Sequence, residues 1–221
     1  MTSAAEAVIA ATGGADRLEL VRALETGGLT PALDIVQAVI QAVSIPVRVM
    51  LRENASIAMA NPDELRVLQT TAGKLQGLPI DGLVLGWVTP AGTVDVSSLE
   101  TVFGAAPRCP VTFHRAFEHL ADPFEGLKVL KRFKQIDRIL TGGGSGSWVV
   151  RKRRLKDWSD AAAPEITILV GGGLADAEVA ELMADPQFPE VHVGRAARTP
   201  QENDGALDAA KIAFLKSRRA P

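Results

Sequence analysis

A chain of 221 residues, 47% hydrophobic and 23% charged, is ordinary for a globular protein with a sizeable core. Its formal charge of −2 argues against broad attraction to nucleic acid or an anionic membrane, and no apolar run reaches membrane-span length. The single cysteine, Cys109, excludes an intramolecular disulfide or a cysteine-rich metal cage; with no basic and apolar leader at the start, a cytoplasmic protein is expected.

Met1 leads almost directly into an alanine-rich helix over residues 3–11, closed by Gly13-Gly14. Short apolar or β-branched runs then recur at 17–21, 47–51, 82–87, 111–114, 138–141, 167–170 and 190–193. Helical patterns separate them. Thr30-Pro31 opens the first, Asn61-Pro62 the next, Asp95 caps a short one, and Asp122-Pro123 starts another, with cap residue and proline in their favoured places. Later helices are expected over 147–160, 176–183 and 205–216. The basic run Arg151-Lys152-Arg153-Arg154 reads as a solvated face of one of them. No linker divides the chain, so residues 1–221 form one domain.

Strands alternating with helices at this spacing predict a parallel sheet covered by helices. A closed TIM-type (β/α)8 barrel is favoured over a dinucleotide-binding sheet, because no Gly-x-Gly-x-x-Gly turn follows an early strand. The count is one strand short: the strand that should precede the first helix is absent. Either a strand belongs ahead of Met1 or the barrel has an open edge, and the first is expected.

Strand alternation sorts the charged residues. Arg17, Glu19 and Val21 share one face, as do Arg48, Met50 and Arg52, and the apolar faces turn outward to the helices. That predicts an interior network in which Glu19 meets Arg48, Arg52 or both. His114 and Arg115 fall at a strand end, where such folds place ligand sites, and only one of them should face the barrel mouth. The candidate catalytic residues are therefore Glu19, Arg52, His114 and Arg115. Two glycine-rich turns, Thr141-Gly142-Gly143 and Gly171-Gly172-Gly173, together with Gly194, are candidate anion-binding loops, since glycine lets backbone N–H groups approach an oxyanion. Metal ligands are sparse: no His-x-x-x-His or Cys-x-x-Cys pair occurs, and Cys109 starts a strand at the end opposite the usual site.

Gly14-Ala15-Asp16-Arg17-Leu18-Glu19-Leu20, Gly27-Gly28-Leu29-Thr30-Pro31, Ile45-Pro46-Val47-Arg48-Val49-Met50-Leu51-Arg52 and Thr112-Phe113-His114-Arg115-Ala116-Phe117 resemble, in order and spacing, the copper homeostasis protein CutC family. The resemblance implies a TIM-type barrel, a cytoplasmic location, a role in copper handling, copper as a possible bound ion, and homodimers or higher oligomers. It implies no defined reaction. Two positions depart from the family pattern. Val21 stands where relatives commonly carry cysteine, and the familiar Arg-Pro-Arg is Arg52-Glu53-Asn54. The expected function is a CutC-like protein with a polar site at the barrel mouth. The alternative is an enzyme of isomerase, lyase or hydrolase type, or a binding protein, for a small phosphorylated or carboxylated metabolite. The expected partner is a small anion or a copper ion, with no nucleic acid and no membrane.

Overall fold

Seven parallel strands lie side by side in chain order, β1 (Leu18–Leu20), β2 (Val47–Met50), β3 (Gly82–Leu85), β4 (Val111–Phe113), β5 (Ile136–Thr141), β6 (Thr167–Gly171) and β7 (Val191–His192). They come from a computed structural model that describes residues 1–218. Around them run α1 (Ala4–Thr12), α2 (Leu33–Ala42), α3 (Pro62–Gln76), α4 (Val96–Ala105), α5 (Pro123–Leu130), α6 (Trp148–Ala162), α7 (Asp176–Met183) and α8 (Ala209–Ser217). A short antiparallel ribbon, β8 (Arg198–Thr199) and β9 (Ala206–Leu207), precedes α8. The sheet curls into the TIM-like α/β fold that the strand spacing predicts. β1 and β7 are its two edges. Met1 lies along β1: its ammonium donates to Glu19 O and its carbonyl accepts from the Val21 amide, both at 3.0 Å.

Alternation decides what each strand buries. Leu18, Leu20, Val47, Val49, Leu83, Leu85, Val111 and Phe113 turn outward and pack under the helices in one continuous core. Each fully buried aliphatic side chain there contributes roughly 1.5–3 kcal/mol. Asn61, Asp95 and Asp122 cap their helices through the side chain as expected, with Pro62 and Pro123 in the first turn. Thr30 does not cap: α2 starts later, after Ala32, and the Thr30 hydroxyl turns to β2 instead.

The basic run of α6 also departs from expectation. Arg151 Nε donates to Gly142 O at 2.7 Å, Lys152 pairs with Glu181 at 2.6 Å, and Arg154 donates to Ser145 O. Of the four, only Arg153 is exposed. The helix lies against the glycine-rich β5–α6 loop and against α7, so its cations find acceptors there.

Inside the N-terminal end of the barrel a closed ring of alternating charge replaces an apolar plug. Arg17 meets Asp81 at 2.9 Å, Asp81 meets Arg48 at 2.9 Å, and Arg48 grips Asp137 through two bonds of 2.6 Å. Asp137 meets Arg138 at 2.5 Å, Arg138 grips Glu190 through two bonds of 2.7 Å, and Glu190 returns to Arg17 at 3.0 Å. Arg48 also donates to Thr112 Oγ1 at 2.8 Å. Three cations and three anions from β2, β5 and the residues leading into β1, β3 and β7 thus satisfy one another. The link from Arg17 to Glu190 ties the two edge strands together where backbone pairing does not.

Candidate functional site

At the other end of the barrel the strands deliver Arg52, Gly86 and His114. Continuing the register of β2, β3 and β4 brings these three level, with the glycine between the two donors. Gly86 leaves room for the imidazole: a Cβ there would lie 3.0 Å from His114 Nδ1 and 3.1 Å from Phe113 Cζ, tighter than ordinary contact. One layer deeper, Val21, Met50 and Val84 form a small buried apolar cluster that separates the mouth from the charged ring.

His114 is 6% exposed and faces the barrel interior. Its Nδ1 accepts from the Ala116 amide at 3.1 Å, because the chain turns into a 3₁₀ helix (Arg115–His119) directly after β4. An amide N–H can only donate, so Nδ1 carries the lone pair and the ring proton sits on Nε2. Burial, and then the charge of Arg52, push the His114 pKa down to about 3, so the ring is neutral at physiological pH. Nε2 is buried and has no hydrogen-bond partner among the described residues.

Arg52 Nε is buried and equally unpartnered. Burial also lowers the basicity of this guanidinium, which the charge of Glu64 only partly restores. The motif Gly-Gly-Leu-Thr-Pro holds it in place. Thr30 N donates to Arg52 O at 2.8 Å, Thr30 Oγ1 donates to the same carbonyl at 2.9 Å, and Arg52 N donates back to Thr30 Oγ1 at 2.8 Å. The guanidinium itself is anchored by Nη2 on Ala55 O.

Arg115 takes the other direction. It is half exposed and lies over Gly172, whose φ of +104° and lack of Cβ leave room for the guanidinium. It grips Glu118 through Nε at 3.2 Å and Nη2 at 2.8 Å. Glu118, unassigned by the sequence, is the hub of this rim. Its Oε1 also accepts from the Gly142 amide at 2.6 Å and from Thr141 Oγ1 at 3.1 Å. Burial alone would raise the Glu118 carboxyl, but Arg115, Gly142 and Thr141 outweigh it and hold the pKa below its usual range.

The Thr141-Gly142-Gly143 loop is therefore not a vacant anion cradle. Gly142 N–H already receives the carboxylate of Glu118, Gly143 N–H donates to Thr141 Oγ1 at 3.1 Å, and Arg115 covers Gly172. Behind Gly171 stands His192, whose Cβ would be 2.7 Å from an added Cβ, while Gly173 and Gly194 lie at the open rim near Arg195. Glu19 is likewise placed differently from expectation. Arg48 is taken by Asp81 and Asp137, acids that sit immediately before β3 and inside β5, and the Glu19 carboxylate faces His192 Nδ1 at 3.9 Å. Of the candidates, the fold brings Arg52 and His114 together, sends Arg115 to the rim and leaves Glu19 two layers deeper, level with Arg48. A cleft of about 330 Å³ beside Glu118, walled by Leu120, Phe124 and Trp158, opens outside the barrel between α5 and α6.

The donor set does not fit a copper ion. Among the described residues no group of three His, Cys, Asp or Glu side chains converges. Cys109 is buried at the N-terminal end, away from the mouth, and its thiol is pushed up to about 11 by burial. Met50 is packed against Val21 and Val84. His114 could ligate through Nε2 only by moving its proton to Nδ1, against the Ala116 N–H.

Comparison with known proteins agrees with the sequence resemblance. The CutC family model matches residues 1–197. The copper homeostasis protein cutC homolog of Homo sapiens is 33% identical over 190 residues, spanning 86% of this chain and 69% of the relative. A CutC family protein of Histophilus somni is 32% identical over 187 residues, 85% of this chain and 76% of the relative. The crystal structure of a CutC from Streptococcus agalactiae superposes with a TM-score of 0.73 at 26% identity, over 80% of this chain and 87% of the other. By sequence and by fold, the chain belongs to the CutC family.

Proposed function

We propose that this protein serves copper homeostasis, the role named for its relatives, by binding a small acceptor-bearing molecule at the barrel mouth and not by ligating copper itself. One observation carries the reading: Arg52 and His114, the residues on either side of Gly86 in the sheet, each hold a buried donor, Nε–H and Nε2–H, that has no partner among the described residues. A buried donor left unmade costs about 1–3 kcal/mol, which a carboxylate or phosphate oxygen seated between the two recovers. Neutral His114 adds a second donor without adding a second charge beside Arg52.

The geometry supports binding, or polarisation of a carbonyl, better than general-base catalysis. His114 has its lone pair engaged, and Glu118 is held ionised by several donors. The protein works in the cytoplasm on this reading, with a carboxylated or phosphorylated metabolite as ligand. Thermal unfolding in the presence of phosphate, sulfate and small dicarboxylates, at matched ionic strength, tests it. A saturable rise in midpoint that Arg52→Ala and His114→Ala abolish is expected. No anion-dependent shift, or a shift indifferent to both substitutions, sinks the proposal.

A further inference from the structure

We infer that a second anion-binding site, for a small molecule bearing adjacent phosphates, lies at the N-terminal end of the barrel, opposite the mouth. A cleft of about 550 Å³ opens there between the α4–β4 and α5–β5 connections. Its lining includes Arg108, Arg132 and Lys134, with Phe133 and Pro107 as apolar walls and Cys109 at its edge. The volume is that of a small-molecule site and not of a protein-sized groove.

Charge decides the ligand. Arg108, Arg132 and Lys134 are all exposed, and among the described residues none of their side chains has an ion-pair or hydrogen-bond partner. The one acid in the lining, Asp137, is consumed by Arg48 and Arg138 of the charged ring. The Cys109 thiol stays protonated and cancels none of the positive charge. Three cations without a partner among the described residues thus line one concavity in a protein whose formal charge is −2. They repel one another until an anion arrives, and two cations of the guanidinium type match phosphate oxygens in a planar, bidentate way. A monocarboxylate satisfies one of them; linked phosphates satisfy all three.

The test is calorimetric titration of the full chain with inorganic pyrophosphate, with acetate at equal ionic strength as the comparison. Saturable binding of pyrophosphate is expected, weakened at least tenfold in the double variant Arg108→Ala/Lys134→Ala. Arg153→Ala, which removes an exposed cation from α6, should leave the affinity unchanged; all titrations are repeated in the Arg52→Ala background, where the mouth is silenced and the binding that remains belongs to this site. All these cations are at the surface except Arg52, so circular dichroism of each variant checks the fold. Affinity unaltered in the double variant overturns the inference. So does an equal loss in Arg153→Ala, which would mean attraction to positive charge in general.

Discussion

Arg48 and Asp137 meet through two parallel hydrogen bonds of 2.6 Å, with Arg48 only 3% exposed, and this pair is the anchor of the ring that fills the N-terminal end of the barrel. Breaking a buried pair by removing one partner leaves an uncompensated charge and costs about 3–5 kcal/mol. Arg48→Met is therefore expected to lower unfolding stability by about that amount in urea. Asp81→Asn, at a carboxylate 29% exposed, should cost clearly less. Equal losses in both would show that burial of Arg48 is not what matters.

Acid should act on the protein in two stages. The neutral His114 must gain a proton on unfolding, since its pKa is held at about 3 in the fold against an ordinary 6.5. The unfolded chain binds the extra proton, so stability falls with pH below 6.5, by about 1.4 kcal/mol per pH unit. Asp81, Glu118 and Glu190 act lower. For each, burial opposes ionisation but arginine partners outweigh it and hold the pKa below the ordinary carboxylate range. Their contribution is complete above the unfolded carboxylate values and is lost as pH falls through the depressed ones. Urea midpoints from pH 7.5 to 3 should show both stages, and His114→Gln should flatten the upper one alone.

Thr30 is expected to matter out of proportion to its size. Thr30→Val keeps the shape and removes the hydroxyl that joins the Arg52 amide and carbonyl. A loss of about 1–2 kcal/mol in stability is expected. Anion protection should weaken with it, because Arg52 is no longer fixed. Protection that survives intact would mean that Arg52 is held by Ala55 alone.

Glu118→Gln leaves the size of the side chain and removes the charge that Arg115, Thr141 and Gly142 share. Amide exchange in the Gly142–Gly146 loop should accelerate by tenfold or more, while the core strands remain protected. Unchanged exchange at Gly142 would remove Glu118 as the hub of the rim.

Much of this is legible in the sequence. Period-2 alternation put Arg48 and Arg52 inside, and the cap residues Asn61, Asp95 and Asp122 marked three helix starts correctly. Three things were not legible, for a common reason: each depends on contacts between distant segments. Asp81, Asp137 and Glu190 are single acids at strand starts, and nothing local says that they converge on arginines. Thr30 looks like a helix cap and serves as a clamp across to Arg52. Glu118 lies only four residues beyond His114, yet it reaches the mouth rim because a 3₁₀ turn doubles the chain back. The Thr141-Gly142-Gly143 loop is hidden for the same reason, since the anion it holds is Glu118 of the chain itself.

The most direct test of the mouth as a donor site is the tautomer of His114. Long-range ¹H–¹⁵N correlation spectra of the imidazole, assigned by comparison with His114→Gln, report which nitrogen carries the proton. The structure requires a bare Nδ1, a protonated Nε2 and no titration between pH 5 and 8, with the Nε2 resonance shifting as a binding anion is added. A proton on Nδ1, or a ring that titrates near pH 6.5, would contradict it and return His114 to the candidates for metal ligation or base catalysis.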